Sequence, residues 1–377
     1  MMAGMSARRA TNSTVRPWTA ALLAGVLVVG VAGCSWHLEK EPVVYPSADA
    51  VTLERDDAAA REQHVLDVLG SGSSDGVSAS DLASIEAQAA PAHLEALGGV
   101  YVATPSPAPS PSPFTGSLDD AVTQAREGAL ETATTTTDSN LALLQSSMGL
   151  THAFALWWAQ NTALAETVQP SPSPTPLASP SGALPGEPEP NGTGEPSTSE
   201  SAIPAVSSSP EPIPVTAAER VLPTSVDLGD TFLPASADAI SPVTLGDLAV
   251  AHDRARFLYE VIAAKSAGEE RANALARRDI QGARADEFGI LAGTQDRRQE
   301  LYDIPPTMVD TALSRAATAR DTEFALGATY AAMLDGVTPD DRGWILNAAF
   351  DAYAAGALQP GFTPDKFPVL PGLQPAS

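Results

Sequence analysis

The chain runs to 377 residues and carries 46 acidic against 21 basic side chains, a formal net charge of −25, with 33 prolines and a single cysteine. A balance this acidic argues against nucleic acid as a partner and against charge-driven adhesion to anionic lipid. One cysteine excludes an intramolecular disulfide, so whatever folds must be held by packing.

At the start, Arg8, Arg9 and Arg16 precede a stretch from Trp18 to Gly33 without a charged residue, the layout of a secretory signal peptide. At roughly 16 residues it is short of the ~20 that an apolar helix needs to span a bilayer. It ends in Val31-Ala32-Gly33-Cys34 followed by Ser35, which resembles the lipobox of bacterial lipoproteins. The resemblance implies cleavage after residue 33 and acylation of Cys34, hence a folded mass tethered to the extracytoplasmic face of the cell membrane. Loss of residues 1–33, with three arginines and no acid, takes the charge from −25 to −28.

Residues 34–50 read as a tether. An N-terminal helical module over 51–166 follows. Its first helix spans Val51 to Leu69, with Leu53, Ala60, His64 and Leu66 as inward positions. Ser78 with Asp81 opens a second helix, interrupted by Pro91 and stopped after Leu97 by Gly98 and Gly99. Beyond a proline-serine tract from Pro105 to Pro113, Ser117 with Asp120 starts a third helix to about Ala133. Thr137 and Asp138 start a fourth, carrying Leu141, Leu144, Met148, His152, Ala155 and Trp158. Trp157 and Trp158 read as packing residues between helices or between halves of the chain.

Residues 167–243 are expected to be a disordered linker, since 13 prolines fall between Gln169 and Pro214 with almost no bulky side chain to offset chain entropy. The block 244–358 returns to helical periodicity. Leu248, His252, Ala255, Tyr259 and Ile262 form a seam at spacings of three and four. A second helix is expected from Ser266 with Glu269 to a stop at Gly293. A third should start at Thr307 with Asp310, after Pro305 and Pro306, and a fourth at Thr338 with Pro339 and Asp341. Residues 359–377 read as a tail. The order of elements mirrors the first module, and Ser117–Arg126 parallels Thr307–Ala316, which points to an internal duplication.

The C-terminal block resembles a ferritin-like domain family of unknown function from actinobacterial proteins, many of them lipoproteins. The resemblance rests on Ala251 and His252 with Tyr259, on Arg277, Arg278 and Arg284, on Tyr302 to Pro306, and on Arg320 to Glu323. It implies an all-α fold with an antiparallel four-helix bundle and supplies no activity. A di-iron carboxylate bundle needs Glu-x-x-His pairs, because a spacing of three puts both ligands on one helix face. No histidine here meets that rule: Arg61, Ala90, Gly149 and Ala249 stand three residues before His64, His93, His152 and His252, and His37 lies in the tether. His252 and Glu323 remain as metal-ligand candidates that could meet across the bundle interior. Esterase, phosphate-loop and zinc-protease motifs are absent, and the lone cysteine would be acylated.

The expected protein is therefore a lipid-anchored envelope component that binds or scaffolds without a catalytic centre or cofactor. Its expected partners are the membrane, through Cys34, and an envelope protein. The alternatives are a ferritin-like metal-binding or redox module with non-standard ligands, and a small-molecule-binding lipoprotein.

Overall fold

Serine, threonine and aspartate placed just ahead of apolar runs set where most of the helices begin. The computed structural model describes residues 48–72, 77–100, 116–167, 219–238 and 240–373, and among these there are eight α-helices and no strand. Helix α1 (Ala50–Ser71) starts under the Asp49 carboxylate, which accepts the Thr52 N–H at 2.7 Å, and ends on Gly72 in the left-handed region. Helix α2 (Val77–Leu97) passes through Pro91, which lies on its exposed side. A reciprocal Ser117–Asp120 capping box opens α3 (Leu118–Thr135), and Asp138 accepts the Leu141 N–H at 2.8 Å in the first turn of α4 (Ser139–Thr167).

In the second half Ser241 caps α5 (Pro242–Lys265). Helix α6 (Gly268–Ala292) is preceded by Ala267 with no side-chain cap, so the expected box at Ser266 is not what starts it. Pro306–Met308 form a short 3₁₀ turn. The start of α7 (Ala312–Met333) therefore moves to Thr311, which shares a capping box with Ser314 in place of the expected Thr307 and Asp310. Helix α8 (Pro339–Ala357) begins where the cap, proline and acid predict.

The axis of the packing is α8, in which every residue from Trp344 to Ala357 is buried. An alanine-rich helix can be surrounded in this way because small side chains let neighbours approach on all sides. It packs on α7 and also on α3 and α4, and Trp157 meets the Phe350 ring edge-on at 5.9 Å. The buried Arg342 guanidinium donates to the Ala133 and Thr136 carbonyls, closing the C-terminal end of α3. One hydrophobic core accordingly joins Val65, Leu118 and Phe154 of the first half to Leu248, Tyr330 and Leu346 of the second. Residues from Ala48 onward form one compact unit.

Two stretches read as linker and tail are seated in this unit. Within 167–243, residues 219–238 pack along α8, burying Leu222, Leu228 and Phe232, and Ile240 is buried as well. The Leu222 N–H donates to Asn347 Oδ1, and the Leu228 carbonyl sits so close to Gly343 that a Cβ there would lie 2.4 Å from it. Glu127 of α3 accepts from Thr224 and from the Ser225 backbone and hydroxyl. Residues 359–373 fold back over the first half, where Phe367 stacks on Phe154 at 3.8 Å and Leu370 and Leu373 join Leu97, Leu144 and Met148. Residues 1–47, with Cys34 and His37, lie outside the described residues, as do the tract 101–115 and most of the expected linker, 168–218.

The inward face of α1 differs from expectation. Leu53 is 55% exposed, whereas Ala58, Glu62, Val65 and Val68 turn inward. The short apolar side chains give this helix no dominant stripe, and the buried polar partner described below fixes its rotation. The α5 seam is buried throughout, as its spacing predicts. No helix among the described residues is long and apolar enough to cross a membrane.

Candidate metal centre

Glu62 on α1, Glu86 and His93 on α2, and His152 on α4 converge inside the first half, all of them buried. Burial of four ionisable side chains is costly unless they satisfy one another. His152 Nε2 lies 2.8 Å from Glu62 Oε1, and its Nδ1 lies 3.1 Å from both Glu86 oxygens. His93 Nδ1 lies 3.3 Å from the same Glu62 oxygen, and the two imidazoles stand edge to face with centroids 4.9 Å apart. His93 Nε2 is 2.7 Å from the Val369 carbonyl, which also accepts from the Thr151 hydroxyl at 3.1 Å.

These partners fix the tautomers. A carbonyl only accepts, so His93 Nε2 carries a hydrogen and Nδ1 is the atom turned to Glu62. Glu86 likewise takes the Nδ1 hydrogen of His152, leaving Nε2 for Glu62. A lone pair on His93 Nδ1 facing a carboxylate oxygen is repulsive unless a cation sits between them. The 3.3 Å contact is not aligned as a hydrogen bond, and Glu62 Oε2 has no hydrogen-bond partner among the described residues. In the protein without metal the cation beside Glu62 is a proton on His152, which lies on the His152 side of Glu62 and not between Glu62 and His93. Burial opposes its charge, but Glu86 and Glu62 overcome that and raise its pKa to about 10. Burial also works against the Glu62 carboxylate, and the His152 charge holds it well below the ordinary range.

The same geometry suits a metal ion. Glu62, His93 and His152 each offer one ligand atom, and these atoms lie within 4.8 Å of one another. With metal–ligand bonds of about 2.1 Å, neighbouring ligand atoms should be separated by roughly 3.0–3.4 Å. The 3.3 Å spacing falls inside that range and the 2.8 Å spacing just below it. Each imidazole already donates its far N–H to a carboxylate or a backbone carbonyl, the outer arrangement that orients histidine ligands.

The candidates taken from the sequence sit elsewhere. His252 Nδ1 donates to Gln281 Oε1, and its Nε2 accepts from the Tyr330 hydroxyl, both at 2.5 Å. Glu323 accepts from Tyr259, from Gln281 and, through both oxygens, from Arg277. Gln281 thus stands between the two, and both ring nitrogens of His252 are occupied. Burial, reinforced by the Arg284 and Arg277 charges, pushes His252 down to about 3, so it is a neutral core histidine. Asp351 completes this network, accepting from Arg277 at 2.7 Å and Arg284 at 2.9 Å.

The residues that do converge escaped the sequence reading because it tested a spacing of three. Glu86 and His93 are seven apart, which is two helical turns and equally one face. His152 lies among the apolar positions of its helix with nothing nearby in the sequence to name its partners, and the contact of His93 with Val369 spans 276 residues. No protein family, curated protein or solved structure matches this chain, so its functional reading rests on this geometry.

Proposed function

We propose that the protein binds a single divalent transition-metal ion through Glu62, His93 and His152, with Glu86 orienting His152. The observation that carries this reading is that both imidazoles turn their available nitrogen to one glutamate oxygen while their other nitrogen is held by the protein. Two imidazoles and a carboxylate suit iron(II), manganese, cobalt or zinc, and leave coordination positions beyond the three protein ligands. The reading is the non-standard metal module, moved from the ferritin-like C-terminal block into the first half. We further propose that each half is a four-helix bundle and that the whole is held outside the membrane by acylated Cys34.

The competing reading is the metal-free scaffold. The Glu62–His152–Glu86 triad favours it, because a proton on His152 already neutralises part of the buried charge. A titration of the metal-free full chain with Co²⁺, Zn²⁺, Mn²⁺ and Fe²⁺ separates the two. The metal reading expects one ion per chain, about one proton released as His152 gives up its hydrogen, and loss of binding in His93→Ala and Glu62→Gln variants that stay helical by circular dichroism. Absence of stoichiometric binding by the folded wild type above pH 7 would leave the scaffold reading in place.

A further inference from the structure

The three metal-ligand side chains are closed off from solvent: Glu62 is 1% exposed, and His93 and His152 are 0% exposed. An ion that exchanges with solution has to pass something that opens. The helices that carry the ligands, α1, α2 and α4, are bonded along their own backbones, so displacing one of them breaks several hydrogen bonds at once. Residues 359–373 are of a different kind. They lie across the first half as an irregular strap, and the Val369 carbonyl touches the site directly, accepting from His93 Nε2 and from the hydroxyl of Thr151, the neighbour of His152 in α4.

The way the strap is held decides what lifting it costs. Its backbone hydrogen bonds close turns within the strap, from Phe362 to Gln359, Lys366 to Thr363, Phe367 to Pro364 and Leu373 to Leu370, and these survive its displacement. The bonds that displacement breaks are the two at the Val369 carbonyl, and water entering behind it satisfies both donors. The rest of the attachment is apolar. Phe367 stacks on Phe154, and Leu370 and Leu373 pack with Leu97, Leu144 and Met148. Leu97 lies one turn beyond His93 and Met148 one turn before His152, so the two leucines of the strap cover the helix faces that carry the imidazoles. Gly361, at φ +82°, gives the strap a pivot at its root.

We infer that residues 359–373 are the gate through which a metal ion enters and leaves the first half, an assignment that rests on the metal reading above. With the strap lifted, the faces of α2 and α4 that carry His93 and His152 open to solvent. With it seated, the Val369 carbonyl holds the His93 ring with Nδ1 turned to Glu62, and the leucines shut the path. The apolar contacts that seat the strap involve no ligand atom, so they set how fast the ion moves and not how tightly it is held.

The test is stopped-flow mixing of the full chain with Co²⁺, followed by its absorption, together with release of the bound ion into excess EDTA. The loading rate should level off with rising Co²⁺ at the opening rate of the strap, and the release rate should not depend on EDTA concentration. Phe367→Ala leaves the ligands and the Val369 bond in place. It should raise both rates together by about 10- to 100-fold, the factor that loss of one buried aromatic contact gives, and leave the Kd unchanged. Leu370→Ala, at a partly buried and milder position, should move both rates the same way by about 3- to 10-fold. Glu323→Gln, whose partners are on α5 and α6, should alter neither. Failure of the wild type to bind Co²⁺ would remove the metal reading and the gate with it. Bound Co²⁺ with rates that Phe367→Ala and Leu370→Ala leave unchanged would overturn the gate alone. So would rates raised equally by Glu323→Gln, which mark passage by global unfolding, or a faster release without faster loading, which makes the strap a support for His93 only.

Discussion

Replacing His152 by alanine in the metal-free protein removes the one cation between two buried carboxylates. The gross attraction can be worked from the structure: separations of 2.8 Å to Glu62 and 3.1 Å to Glu86 give about 6 and 5 kcal/mol at an effective dielectric of ~20. Most of that offsets the cost of taking three charges out of water. The measurable loss is what remains when a buried pair loses one partner, roughly 3–5 kcal/mol. Urea unfolding at pH 7, followed by circular dichroism, reads this as a lowered midpoint with an unchanged slope. The loss should shrink toward pH 4, where the stranded glutamates protonate. A triple variant, His152→Leu with Glu62→Gln and Glu86→Gln, should lose less than His152→Ala alone, because it buries no charge. A loss below about 1 kcal/mol for His152→Ala at pH 7, or a triple variant that is the least stable of the three proteins, would refute the reasoning.

The pH dependence of the wild type follows from the same triad. Because the His152 pKa is raised from 6.5 to about 10, its contribution is complete below pH 6.5 and is lost as pH rises through 10. The lowered Glu62 pKa makes the acid side the mirror case, with stability present above 4.5 and lost as pH falls through its folded value. Unfolding midpoints at pH 6 and 9.5 should therefore differ, and the alkaline fall should vanish in His152→Ala. In the second half, Glu323→Gln takes from Arg277 one of its two buried carboxylates, leaving Asp351, and should cost up to about 3 kcal/mol without altering bound metal, which urea unfolding and metal analysis check together. Ser117→Ala removes the α3 cap and should cost about 1 kcal/mol in the same unfolding assay. Deleting 359–377 takes the Val369 carbonyl from His93 and should weaken Co²⁺ roughly 10- to 100-fold, read by titration of the folded remainder.

Much of the architecture was legible because helix punctuation is local. The Ser117–Asp120 box, the start at Thr338 and Pro339, and the stop at Gly293 depend on residues within one turn of each other. The α5 seam was equally plain, since bulky apolar residues recur there among polar ones. Where alanine dominates, that contrast disappears. The face of α1 could not be read from Leu53, Ala60 and Leu66, because the decisive inward residue is Glu62, whose partners lie on two other helices. The seating of 219–238 and 359–373 was hidden for another reason: proline and polar residues mark both as irregular, while the contacts that hold them come from Asn347, Glu127 and Phe154 far along the chain.

The fold-back of residues 359–373 bears on the order in which the molecule can be completed. A chain synthesised from its N-terminus has made α1 to α4 long before residue 369 exists, and until then His93 Nε2 lacks its carbonyl acceptor and Phe154 lacks its stacking partner. The earliest half to appear is thus among the last to be finished. Any process that handles the nascent polypeptide meets an open helical cluster with an unsatisfied imidazole at its centre, and maturation of that cluster waits on release of the chain's far end.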